Sequence, residues 1–279
     1  MLKRLLKFCL WRVGLYFILG LISLVMIGPL LWLLSTSLKS SGENIFAYPP
    51  QWLPQFPTLA NFRQVWQNYP FFRYLLNSLG VAVITVIVNL WLSALAAYPL
   101  ARFQFVGKSV FFWLMVGSLM IPFQITMIPL YILAVQLNLR NSYLGLIFPY
   151  AVSGFGIFLL RQAFLSIPRE LEEAARMDGG SPWQIWQHIM LPGIQPDLIT
   201  LAIFTFVGMW GDFLWPLLML DEPQMFTLPL GVASLASAFA SDWRLIAAGS
   251  ILAILPVTVI FMVMQRYIIP NETSSGLQG

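Results

Sequence analysis

Long apolar runs set the terms on which this chain can fold. Residues 13–38 contain no charged side chain, and a bilayer core is crossed by about 20 apolar residues in a helix. Five further runs follow, at roughly 74–100, 109–137, 143–165, 198–220 and 245–268. In hydrocarbon no water is present to pair a free N–H or C=O, so a spanning segment must satisfy its own backbone, as a helix does. The expectation is an all-α membrane protein with six transmembrane helices. Composition agrees. Only 9% of the residues are charged, against about 25% in soluble domains, and the mean hydropathy is +0.79. A soluble fold is excluded. The net charge of +4 is spread along the chain, which gives nucleic-acid binding little support. Cys9, the single cysteine, excludes an internal disulfide and a cysteine-rich metal site, and it precedes the first apolar run, unlike a lipoprotein cysteine.

The ends of the runs carry orientation. Lys3, Arg4, Lys7 and Arg12 precede a first run too long for a signal peptide's core of about 7–15 residues, so it reads as an uncleaved helix. With six spans, both termini share one side. That side holds 10 of the 15 Lys and Arg residues, and the other holds 5. The positive-inside rule therefore places both termini, and the loop 166–196, in the cytoplasm. Residues 39–73 read as a polar, proline-rich external loop with Ala60-Asn61-Phe62 in its middle. Prolines 122, 129, 149, 216 and 256 fall within spans and predict kinks or unwound turns.

The loop 166–196 is the one dense polar interruption. Ser166 is expected to cap a short helix, with Pro168 in its first turn. Ile167, Leu171, Ala174 and Ala175 recur at helical spacing as an apolar stripe, with Arg169, Glu170, Glu172, Glu173 and Arg176 around it. Gly179-Gly180 permits the positive φ that ends a helix. A second helix starts at once: Ser181 caps it, Pro182 is first, and Gln184 completes a capping box. Trp183, Trp186, Ile189 and Met190 form its apolar side, and Pro192 is expected to stop it.

Glu173-Ala174-Ala175, three residues, Gly179, nine residues, then Ile189-x-Leu191-Pro192 resembles the EAA loop of permease subunits in bacterial binding-protein-dependent ABC importers. Several other stretches resemble the sugar importers of that family. These are Asn77-Ser78, Ala97 to Phe103 with Gly107-Lys108, Ile121-Pro122, Ile128-Pro129-Leu130-Tyr131, Trp210 to Pro216 and Thr227 to Gly231. Gly211 stands where the family usually has Asn. Gln265-Arg266-Tyr267 and the ending Gly276 to Gly279 match its short tail loosely. The likeness covers nearly the whole chain and points to the G-type subunit of maltose-type importers.

The resemblance implies a type I ABC importer permease fold in the plasma membrane. Residues 1–73 would hold the first span and external loop, 74–268 the core with its EAA loop, and 269–279 a cytoplasmic tail. It implies an ATPase-coupling set of Glu173, Ala174, Ala175, Asp178, Gly179, Ile189, Leu191 and Pro192. Glu173 would pair with an ATPase arginine, and Ile189, Leu191 and Pro192 would anchor the second helix to the bundle. The implied partners are a second permease, two ATPase subunits and an extracytoplasmic binding protein. The substrate would be a sugar or sugar derivative, with a glycerol phosphate or an amino acid as alternatives. An ion-driven secondary transporter is the competing class; it would need coupling carboxylates or discontinuous helices around a midplane ion site, and one candidate acid, Asp212, is available. A membrane scaffold that transports nothing is a further competitor.

Other features bound the chemistry. Gly107-Lys108-Ser109 is no Walker A loop, because Arg102 stands where that pattern needs glycine. ATP and Mg are therefore expected on the partner ATPase, and no cofactor in this chain. No nucleophile–base pair or carboxylate pair can be assembled facing one compartment, so catalysis is not expected. Gln124, Thr126, Trp210 and Asp212 are candidates for the translocation path. Asn89 and Ser153, with Gln124 and Thr126, also suit hydrogen bonding between helices. Asp212 has two readings, a path lining or an anchor at headgroup level beside Trp210 and Trp215. Arg161 can snorkel to the interface. Trp11, Trp32, Tyr98, Trp210 and Trp243 fit an aromatic belt. His188 reads as a solvated surface residue, with no ligand set around it.

Overall fold

The computed structural model describes residues 2–238 and 242–268, with side chains for 11–236 and 242–263. The tail 269–279, including Gly276 to Gly279, lies outside the described residues, as do the side chains of Cys9, Gln265, Arg266 and Tyr267. Among the described residues every regular element is helical. The first half of the chain gives α1 (Leu2–Leu38), α2 (Ala60–Asn68), α3 (Phe71–Arg102), α4 (Lys108–Ser118), α5 (Phe123–Gln136), α6 (Tyr143–Ile147) and α7 (Gly154–Ser166). The second half gives α8 (Arg169–Met177), α9 (Pro182–Ile185), α10 (Leu191–Gly193), α11 (Gln195–Gly211), α12 (Leu214–Met219), α13 (Leu228–Ala238) and α14 (Trp243–Ile268).

Three helices are each long and apolar enough to cross a membrane, within Trp11–Leu38, Phe71–Arg102 and Trp243–Val263. Three bent pairs pass the same test together, so six spans result if each pair is one. Lys108–Ser118 with Phe123–Gln136 bends by 102°, Tyr143–Tyr150 with Gly154–Ser166 by 48°, and Pro182–Gly193 with Gln195–Gly211 by 76°. The expected runs 109–137 and 143–165 are thus each divided, and the run 198–220 is broken as well. This last run belongs mostly to α11, with its end set off as α12.

Proline explains where the divisions fall. A proline lacks the N–H that would bond the carbonyl four residues back, and its ring collides with that carbonyl. Four residues before Pro122 is Ser118, where α4 ends. Four before Pro216 is Asp212, where α11 has just ended, and Pro216 then sits in the first turn of α12. Four before Pro149 is Gly145, and its carbonyl receives the buried indole Nε1–H of Trp215 at 3.0 Å. Beyond the 3-10 turn Phe148–Tyr150, the Tyr150 carbonyl receives Asn89 Nδ2–H at 2.8 Å. Side chains from other spans thus satisfy the backbone the breaks expose. Pro129 and Pro256, by contrast, lie within continuous helices.

The chain divides into two units, Met1–Pro70 with Val232–Leu255 and Phe71–Gly231 with Pro256–Gly279. In the second, α3 is the central element. Ala94, Ala97, Tyr98 and Ala101 of α3 pack with Ile157, Leu160, Ala163 and Phe164 of α7 and with Ile185, Trp186 and Met190. The alanines admit the close approach that substitutes for hydrophobic driving force between helices in lipid. A second cluster gathers Val81, Met127, Leu146, Trp215, Met219 and Leu230.

In the first unit the expected loop 39–73 is more ordered than a polar, proline-rich stretch suggests. It contains α2, whose buried Asn61 and Val65 are one turn apart. Asn61 Nδ2 donates to the Ser37 and Lys39 carbonyls, both at 2.8 Å, and so closes the end of α1. Glu43 organises the rest, accepting from the backbone N–H groups of Ser40 (3.0 Å), Gln55 (2.9 Å) and Phe56 (3.2 Å). Arg244 Nη2 donates to the Glu43 carbonyl at 2.6 Å. Burial opposes ionisation of Glu43, but these backbone bonds outweigh it and hold the carboxyl at about 2, below its ordinary 4.5. A lowered pKa stabilises the fold above 4.5, and that stability is lost as pH falls toward about 2. Glu43→Gln should therefore flatten the acid side of a melting-temperature profile between those values. An unchanged profile would mean that the loop does not depend on this carboxylate.

Candidate functional site

The polar interruption folds as two short helices around a glycine elbow. Pro168 occupies the N-cap of α8. Ser166 does not cap, because α7 runs on to include it and its hydroxyl donates to the Ala163 carbonyl at 2.7 Å. At the other end Gly179 has φ +85°. Gly179 N–H donates to the Arg176 carbonyl at 3.0 Å and Gly180 N–H to the Ala175 carbonyl at 2.9 Å. That double bond pattern is a Schellman termination, which needs a residue free to adopt left-handed backbone. Ser181 and Gln184 form the expected capping box, with Ser181 N–H on Gln184 Oε1 at 2.9 Å and Gln184 N–H on Ser181 Oγ at 3.3 Å.

Pro192 does not stop the second helix. A π-helical turn over Trp186–Met190, with Leu191 N–H on the Trp186 carbonyl, precedes α10, and the helix ends only at Ile194. The wider turn accommodates the ring and the missing N–H that would break a regular helix there. The Gln184 carbonyl lies 3.1 Å from His188 Nδ1. A carbonyl only accepts, so Nδ1 carries the hydrogen. Ile185, Trp186 and Met190 are the fully buried anchors of this segment. Ile189 and Leu191 are half-buried, Leu191 against the main core, and Pro192 is exposed.

The face that α8 turns inward is not purely apolar. Glu172 is its buried residue. Glu172 Oε2 lies 3.4 Å from Arg102 Nε, and those two side chains are 7% and 3% exposed. Arg102 Nε has no aligned hydrogen-bond acceptor, so the contact is charge against charge. Arg102 Nη2 also donates to the Ile167 carbonyl at 2.6 Å. Tyr98 Oη–H donates to Glu172 Oε1 at 3.3 Å, and Arg176 Nη2 does so at 2.6 Å. One carboxylate thereby fastens the elbow to the end of α3. Tyr98 and Arg102 are one turn apart, as are Glu172 and Arg176, and this matched i,i+4 spacing was the available signal in the sequence.

The expected apolar stripe is split. Ile167 and Ala175 pack against the core, while Leu171 and Ala174 are exposed. Met177 joins them at 88% exposure. Glu173, Asp178 and Gly179 are exposed on the same short segment. The outward surface of α8 and its elbow is therefore apolar in part, small at Ala174, and acidic at its edges. Such a surface fits a groove that carries positive charge.

The candidates for the translocation path do not gather in one cleft. Gln124 is exposed, and Thr126 donates to its own helix at the Phe123 carbonyl, 2.9 Å away. Trp210 is buried and stacks on Phe206. Asp212 accepts Tyr150 Oη–H at 2.9 Å and Trp215 N–H at 3.3 Å, so it joins two broken spans. A separate cleft of about 240 Å³ is lined by Asn89, Tyr150, Ser153, Phe155, Phe204 and Thr205. Asn89 and Ser153 meet there.

The family described as "Binding-protein-dependent transport system inner membrane component" matches residues 89–273. The chain belongs to this permease family. The matched range includes the elbow, Tyr98 and Arg102. Among similar permeases, AraQ of Bacillus subtilis (strain 168), an arabinooligosaccharides transport system permease protein, is 35% identical over 287 residues, covering 100% of both chains. SmoH of Agrobacterium fabrum, a sulfoquinovosyl glycerol transport system permease protein, is 34% identical over 90% of this chain and 88% of its own. The permease fold is shared with a chain of a bacterial ABC transporter involved in the import of the acidic polysaccharide alginate. The TM-score is 0.80, with 23% identity, over 93% of this chain and 97% of that one.

Proposed function

We propose that this permease forms half of the translocation path of an ATP-driven importer for a sugar or sugar derivative. The outward face of α8, held by the buried Glu172 and turned at Gly179, carries this reading. A second permease would complete the path, and an extracytoplasmic binding protein would deliver the substrate. Two ATPase subunits, holding ATP and Mg, would dock from the cytoplasm, one of them on Leu171, Ala174 and Met177 with Glu173 facing an arginine. Both termini would be cytoplasmic, as the distribution of Lys and Arg supports. This chain would carry no cofactor and perform no chemistry of its own. The names of AraQ and SmoH, both for sugar-containing cargo, support the substrate class. Among the described residues, none of the most apolar window of α1 is buried, which suits a helix covered by lipid or a second permease. ATP-driven movement of the ATPases would push on α8, and the two access states must differ in their affinity for each ligand for any of them to bias the switch.

Gly179→Val tests the docking. A residue with a Cβ in left-handed backbone costs about 1–2 kcal/mol, and the strain falls on the elbow alone, since open space surrounds Gly179. The variant should reach the membrane but retain little ATPase subunit on co-purification. Normal ATPase retention with substrate-stimulated hydrolysis would refute the docking role.

A further inference from the structure

Where α3 ends, α4 begins and α7 nears its end, the chain carries positive charge that it does not neutralise. Lys108 and Arg161 line one open cleft of about 620 Å³ with Gly107, Ser109, Phe112 and Trp113. No Asp or Glu lines it, and neither cation forms a salt bridge among the described residues. Backbone holds them instead. Lys108 Nζ donates to the Phe103 carbonyl at 2.8 Å, and Arg161 Nε donates to the Leu100 carbonyl at 3.0 Å. The Arg161 guanidinium also lies 4.0 Å from the centre of the Phe112 ring. These contacts fix both cations without cancelling either charge. The first turn of α4 adds a partial positive charge, since its N-cap Gly107 supplies no capping side chain. Around the cleft the surface is apolar and bare, with Phe105, Val110, Phe111 and Trp113 exposed and Val106 at 99%.

We propose that this cleft binds the phosphate of an anionic phospholipid. Lys108 and Arg161 meet the phosphate, Trp113 lies at the level of the glycerol, and the apolar rim covers the upper acyl chains. Basic pockets between spans bind lipid headgroups on this principle, and tryptophan favours the same depth. Inorganic phosphate would meet the same cations but leave the rim uncovered, so lipid is the occupant. The proposal is separate from the transport reading and needs only a membrane surface at this end of the spans.

The test uses the full-length chain purified in detergent with its associated subunits. It is titrated with phosphatidylglycerol, phosphatidylcholine and inorganic phosphate while the melting temperature is followed. Phosphatidylglycerol alone should raise it. Lys108→Gln with Arg161→Gln should shift the phosphatidylglycerol midpoint by about thirtyfold, from about 1 kcal/mol for each cation at a membrane surface. Because both residues also tie down the end of α3, a second variant separates binding from folding. Ser109→Glu keeps every one of those bonds and puts a carboxylate in the cleft, so it should weaken phosphatidylglycerol binding without lowering the lipid-free melting temperature. Equal effects of the two lipids, a matching effect of inorganic phosphate, or normal phosphatidylglycerol binding by Ser109→Glu would each overturn the proposal.

Discussion

Glu172→Ala should cost about 3–5 kcal/mol of stability, because it leaves the Arg102 guanidinium buried without its counter-charge. The carboxylate also takes bonds from Tyr98 and Arg176, so one substitution removes two hydrogen bonds as well as the Arg102 ion pair. The elbow should then detach from the end of α3, and ATP hydrolysis in the assembled transporter should no longer respond to substrate. Melting curves and stimulated ATPase rates on the purified complex measure both effects. Removing Arg102 as well, as Glu172→Leu with Arg102→Leu, should restore most of the melting temperature, since losing both members of a buried pair is far milder than losing one. It should not restore stimulation. Glu173→Ala gives the contrast: its side chain is exposed, so stability should stay within about 0.5 kcal/mol. A Glu172→Ala protein that melts like wild type would remove the fastening described above.

Gly145→Ala is expected to be a severely damaging single-methyl change in the core. A Cβ there would overlap the Leu139 carbonyl oxygen and come within 2.5 Å of Met219 Cε. The methionine can move aside, but a backbone oxygen cannot without shifting the turn before α6. Overpacking of this kind costs about 1–3 kcal/mol or more. Any shift also displaces the Gly145 carbonyl from the Trp215 indole, and an unpaired buried polar group adds about 1–3 kcal/mol. Folded yield and melting temperature should both fall sharply. Gly211→Ala should be nearly silent in the same assay, with open space around that glycine.

Much of this was written in the chain. Apolar length marked the spans, and Ser181, Gln184 and Gly179 marked the elbow, because caps and left-handed turns depend on a few adjacent residues. The inward face of α8 was not legible in the same way. Spacing assigned that face to Ile167, Leu171, Ala174 and Ala175, yet Glu172 faces in, since its counter-charge Arg102 is 70 residues away. Pro192 misled for a related reason. A proline ends a regular helix, but whether a wider turn absorbs it depends on the packing of Trp186 and Met190. The candidates Gln124 and Thr126 were chosen for polarity in an apolar run, whereas Asn89 and Tyr150 sit beside a cleft that only the helix breaks create. α2 was passed over because proline and polar residues surround it, although Asn61 and Val65 already stood one turn apart.

The stitched breaks carry a consequence for motion. Trp215 on Gly145 and Asn89 on Tyr150 each hold a carbonyl that no helix claims. In oil a released carbonyl finds no solvent molecule to take the donor's place. Each joint is therefore a latch and not a loose hinge, and a latch of this kind opens only as another closes. Movement through this subunit would then proceed by exchange of partners, in discrete steps, with the number of steps set by the number of latches.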